Sequence, residues 1–154
     1  MNCEITPPVK QGLVFRSRDT VLGVIYDSLM TVEGERRLAE AHGIDLARFR
    51  KWAKGAMVVG CRVDGIIAGG MVLKNGEVHI GIDPQFRARW LRHFRPMLTV
   101  GFAMFGPRLM AKVGTDNHRA RKFVEAVGCT KVGGNAIYTE YEVLQERMKY
   151  VGHH

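Results

Sequence analysis

The chain has 154 residues, 46% of them hydrophobic and 25% charged, and a formal net charge of +8. A chain of this length and balance buries roughly two-thirds of its unfolded surface, which excludes a disordered chain and one that needs disulfide or metal staples. The positive excess attracts polyanions, whether nucleic acid, phosphorylated cofactors or acidic protein surfaces, or else lies on a solvated face.

Residues 1–12, with Pro7 and Pro8, read as an irregular lead-in. Leu13 to Arg16 is expected as a short strand. Asp19 is expected to cap a helix that carries Val21, Leu22, Ile25 and Leu29 at helical spacing. The charged stretch from Glu33 to Ala41 continues as helix until Gly43, and Asp45 is expected to cap one more turn or two through Phe49 and Trp52, making two helices before the next strand.

The period then changes. Met57–Val63, Ile66–Leu73 and Glu77–Ile82 read as strands separated by Asp64-Gly65 and Asn75-Gly76. Such dipeptides supply the positive φ angles of two-residue hairpins, so an antiparallel meander is expected. After Asp83-Pro84 a helical pattern runs through Leu91, Phe94, Leu98, Phe102 and Phe105 to Gly106-Pro107, with Pro96 expected to kink or divide it. Leu109–Val113 reads as a strand and Asp116 as the cap of a helix carrying Ala120, Phe123, Val124 and Val127, closed by Gly128. Lys131–Gly133 and the alternating Ile137–Val143 read as strands, and residues 144–154 as a polar tail. One domain over residues 13–143 is expected, of α/β (α+β) class, because a parallel crossover follows the meander.

Cys3, Cys61 and Cys129 contain no CxxC pair, and none of the six histidines has metal-ligand spacing with a cysteine or another separated histidine. No metal and a reduced, cytoplasmic setting are therefore expected. No apolar run approaches the ~18 residues of a membrane span and no signal-peptide layout is present, so no membrane partner is expected.

Two stretches carry a resemblance. The first is Pro84-Gln85-Phe86-Arg87-Ala88-Arg89-Trp90-Leu91-Arg92, where the meander runs into a helix; the second is Asn117, Ala120, Phe123-Val124 and Gly128-Cys129. Together with the element order over residues 13–143, they resemble the GNAT superfamily of acyl-CoA-dependent N-acyltransferases, in particular its divergent phage-type members. The resemblance implies a mixed, mostly antiparallel central sheet with helices on both faces. It also implies acetyl transfer from acetyl-CoA to a primary amine, on a small molecule or a protein.

The same resemblance implies a cofactor site made of the third meander strand (Ile80, Ile82), the helix-opening loop (Arg87, Ala88, Arg89, Trp90, Leu91, Arg92) and Asn117. Free donors at a helix start favour the CoA pyrophosphate. Ala88, Trp90 and Arg92 stand where the family prefers glycine, and Val124 stands where it carries an acidic tyrosine. Tyr138 and Tyr141 are the alternative hydroxyls. Arg87, Arg89, Arg92 and Arg95 gather cations at a helix start, opposing its dipole by about 0.3–1 kcal/mol each, a conflict that a bound anion relieves.

Glu77 and His79 are the titratable side chains on the third meander strand. Strand alternation places them on the face of Gly81, opposite Val78, Ile80 and Ile82. Either one serves as the base that N-acyl transfer needs, directly or through water; otherwise Glu77 only flanks the turn and His79 only half-faces solvent. His118, Arg119, Arg121 and Lys122 give the following helix a basic outer face.

Two other functions remain open. One is a catalytically silent GNAT-fold phage protein, an internal virion or head-assembly component whose arginine-rich loop binds DNA or a protein partner. The other is a nucleic-acid-binding domain, resting on charge alone. In the enzyme reading, the last strand, if exposed, pairs across a homodimer.

Overall fold

The computed structural model describes residues 12–86 and 91–148. In chain order its elements are β1 (Gly12–Val14), α1 (Arg18–Met30), α2 (Glu33–Ala41), α3 (Leu46–Trp52), β2 (Met57–Val63), β3 (Ile66–Lys74) and β4 (Glu77–Ile82). A 3-10 turn at Pro84–Phe86 precedes α4 (Leu91–Phe105), β5 (Arg108–Gly114), α5 (His118–Ala126), β6 (Thr130–Gly134) and β7 (Tyr138–Leu144).

The two hairpins set the frame. Asp64 and Gly65 take φ of 51° and 78°, and Asn75 and Gly76 take 53° and 77°. Both central residues of each turn are thus left-handed, as a type I′ hairpin requires. They join β2, β3 and β4 into the antiparallel meander that the sequence announces. Among the described residues the sheet runs β1-β2-β3-β4-β5-β7-β6, and only β4 and β5 are parallel.

Helices cover both faces. On one, Val21, Leu22 and Ile25 of α1 pack with Phe49 of α3 and Val72 of β3. On the other, Met97, Leu98 and Phe102 of α4 bury against Met71, Leu73 and Leu109, each contributing about 1.5–3 kcal/mol by leaving water. Gly60, Gly70 and Gly81 lie side by side across β2, β3 and β4. Added Cβ atoms there would stand 2.6 Å and 2.8 Å from Val21 at the first two, and 2.5 Å from the Ser28 hydroxyl oxygen at Gly81. Helix α1 therefore rests directly on the strand backbone.

Several local expectations are corrected. The first strand is Gly12–Val14 rather than Leu13–Arg16. Asp19 lies inside the first turn of α1; Ser17 occupies the cap with a left-handed φ of 59°, and Arg18 starts the helix. That start is fixed from outside, by the Arg18 guanidinium donating to the carbonyls of Ala53 and Ala56 beyond α3. Asn117, not Asp116, caps α5, its side chain accepting from the Ala120 N–H at 3.3 Å. Pro96 does not divide α4: it is the sixth residue of a continuous helix, so its missing donor leaves free only a carbonyl of the first turn. The last strand is not an exposed edge, because β7 lies between β5 and β6 and leaves β6 outermost. Among the described residues no helix is long and apolar enough to cross a membrane.

Candidate functional site: a cleft between the parallel strands

β4 stays in register with β3 along its whole length, and β5 with β7 along its whole length. The two halves of the sheet meet only where β4 pairs with β5, at Glu77↔Met110 and Val78↔Ala111. Past Val78 each strand follows its own antiparallel partner and the pair opens. The cavity left between them measures about 420 Å³, within the range of small-molecule sites. Its walls are largely apolar: Val78, Ile80 and Ile82 of β4, Ala111 and Val113 of β5, Leu98 of α4, and Phe123 and Val124 of α5. Ser28, Glu35, Lys112, Asn117 and Arg119 add the polar groups.

Backbone polarity follows from the strand geometry. The Gly76 carbonyl accepts from the Met110 N–H at 2.8 Å, which turns this edge of the strand toward β5. Backbone groups alternate between edges, so Val78 and then Ile80 face the same way. Ile80 thus presents its N–H and C=O where β5 has already departed. Polar backbone of this kind calls for a partner, and a ligand chain with amide groups would supply one.

The sequence reading omits Glu35. It stands one turn before buried Ala39 on α2 and lines the cavity. Its carboxylate oxygen accepts from the Gly114 N–H at 3.2 Å. Burial raises its pKa above the usual carboxylate range, against the lowering effect of the Gly114 bond. The signal in the sequence is the spacing Val32, Glu35, Ala39, an inward stripe on a helix whose charge otherwise reads as solvated. Tyr138, half-buried and opposite Gly114 in the β5–β7 register, also has a raised pKa, through burial and then the charges of Glu35 and Glu77.

Glu77 and His79 occupy the face of Gly81, as alternation predicts, and the cleft is lined by other residues of β4. His79 Nε2 lies 2.9 Å from a Glu77 carboxylate oxygen, and Lys112 Nζ lies 3.7 Å from the other. The imidazole meets the Trp52 ring edge-on at 4.8 Å, and Lys74 sits over that ring. Burial lowers the pKa of His79, with Lys112 and Lys74 adding to the shift and Glu77 opposing it. Glu77 sits where the strands are still joined, and neither side chain lines the cleft.

Val124 lines the cavity where the resemblance would place a tyrosine, so the wall there holds no hydroxyl. Tyr141 is fully buried and its hydroxyl oxygen lies 3.4 Å from Arg121 Nε. Arg121 also donates to the Thr115 carbonyl at 3.1 Å, which removes it from the expected outer basic face. His118, Arg119 and Lys122 remain exposed. Burial pushes the Cys129 and Cys61 thiols up to about 11, far from a reactive thiolate. Arg87, Ala88, Arg89 and Trp90 lie outside the described residues, while Leu91 and Arg92 open α4. No group of histidine, cysteine and carboxylate side chains suited to a metal ion occurs among the described residues.

No protein-family model matches the chain, and no curated protein matches it in sequence. Solved structures do match in fold. The PaiA N-acetyltransferase of Thermoplasma acidophilum, solved with coenzyme A, is similar with a TM-score of 0.64 and 9% identity, over 88% of this chain and 99% of that one. YncA of Salmonella typhimurium, solved with its cofactor acetyl-CoA, gives 0.57 and 12%, over 89% and 95%. An acetyltransferase of the GNAT family from Staphylococcus aureus gives 0.62 and 11%, over 88% and 99%. The chain has the GNAT fold.

Proposed function

We propose that this GNAT-fold chain is an N-acetyltransferase that moves an acetyl group from acetyl-CoA to a primary amine. The observation that carries the reading is the parting of β4 from β5 after Val78, over a largely apolar cavity that Ile80 lines. A slim chain with amide groups fits such an edge. Ile80 and Ile82 would flank it, with Asn117 and Arg119 at the start of α5. The resemblance assigns its phosphates to Arg87, Arg89 and Arg92, whose charge suits them. Acetyl-CoA supplies an acyl thioester. The chain's part is to hold that carbonyl against fixed donors, to exclude water with Leu98, Phe123 and Val124, and to offer a base to the amine. With Val124 in the wall, the departing sulfur takes its proton from water.

Release of free CoA thiol from acetyl-CoA tests the reading. It predicts release that depends on a primary amine and saturates with acetyl-CoA. The apolar Val124 wall favours a second reading, a silent GNAT-fold virion or head-assembly protein whose arginine-rich loop binds DNA or a protein partner. Absence of amine-dependent release, with salt-sensitive binding of duplex DNA, would favour that reading.

A further inference from the structure

A second, smaller cavity of about 240 Å³ lies between α2, the end of β5 and the turn before β7. Glu35 and Asn117 line both this cavity and the large cleft, so the two spaces meet at those residues. Glu35 reaches the junction from α2 and is held there by the Gly114 N–H. It has no ion-pair partner among the described residues, and neither does Asp116, which is exposed on the small cavity's wall. Arg37, the cation on that wall, is taken up by Glu33. The space therefore presents two unmatched carboxylates, one at the junction and one toward solvent.

We propose that the smaller cavity receives the acceptor, an aliphatic primary amine with a second positive charge, and that Glu35 is the base that deprotonates it. The proposal rests on the acetyltransferase reading. Glu35 takes one proton from the ammonium group and frees the nitrogen lone pair. A C–N bond forms at the thioester carbonyl as the C–S bond breaks, its electron pair leaving on sulfur. A second nitrogen proton passes to sulfur through water, giving amide and free thiol, and Glu35 returns its proton to solvent. The raised pKa of Glu35 makes its carboxylate a stronger base than one in water, consistent with this role. Asp116 meets the second charge. Tyr138, paired with Gly114 in the β5–β7 register, feels the charge of Glu35.

The test uses 1,4-diaminobutane as probe. In the 15N-labelled full chain, the Gly114 amide signal should move saturably with the diamine in the wild type and stay still in Glu35→Gln. Diamine-dependent thiol release should fall by about 100-fold or more in Glu35→Gln, while saturable acetyl-CoA binding persists by calorimetry. Asp116→Asn, at an exposed site, should raise KM for the diamine several-fold and leave kcat alone. An unmoved Gly114 signal beside normal acetyl-CoA binding would overturn this proposal alone, as would Glu35→Gln turning over like wild type. Diamine binding at Gly114 without any acetyl-CoA binding would overturn the acetyltransferase reading, and the assignment of Glu35 as base with it.

Discussion

Gly81 and Glu35 hold the two sides of the cleft, and each makes a prediction. At Gly81 a methyl group would meet the Ile25 carbonyl at 2.8 Å as well as the Ser28 hydroxyl. A backbone carbonyl cannot rotate away, so Gly81→Ala should push α1 off the sheet at a cost of about 1–3 kcal/mol, read from the denaturation midpoint. Glu35 acts on stability through its charge. Its folded pKa lies above the unfolded value, so the fold binds the extra proton. Stability is highest when the carboxyl is neutral and falls as pH rises from the ordinary carboxylate pKa through the raised one. Glu35→Gln keeps an oxygen for the Gly114 N–H and removes the charge. It should melt higher than wild type at about pH 7 and alike at about pH 3, where both side chains are neutral. Equal melting at both values would contradict the burial of this charge.

At the scale of elements, what the sequence disclosed was local chemistry. Asp64-Gly65 and Asn75-Gly76 state their turns outright, because few residues adopt those φ angles, and the three strands they join fall within a residue of the sequence reading. Caps were less legible. Asp116 and Asn117 are both good caps, and only the structure shows which side chain reaches the Ala120 N–H; at α1 the start is fixed by Arg18 reaching carbonyls more than thirty residues away. Asn117→Ala should therefore lower stability by about 0.5–2 kcal/mol, and Asp116→Ala by much less, in thermal melts of the two variants. The site was legible in β4 and not in α2. Period-two alternation put Ile80 and Ile82 opposite Glu77 and His79, and they line the cleft. Glu35 finds its partner Gly114 79 positions along the chain, and no local pattern on a charged helix announces a partner so distant.

For the whole molecule, the sheet is two antiparallel units, β1–β4 and β5–β7, joined for only two register positions. The right-handed twist of each unit carries the strands apart beyond that seam, so the fold makes the cleft by construction and side chains decide what it takes. A ligand seated there bridges the two units, and at 100 times its dissociation constant should stabilise the fold by about 2.7 kcal/mol. That is several degrees of melting temperature for a chain of this size. The most direct measurement is calorimetric titration of the purified chain with acetyl-CoA. The account predicts saturable binding at one site per chain, weakened by Arg87→Ala and by Asn117→Ala. No heat and no change in melting temperature with acetyl-CoA at about millimolar concentration, where even weak specific sites fill, would contradict it.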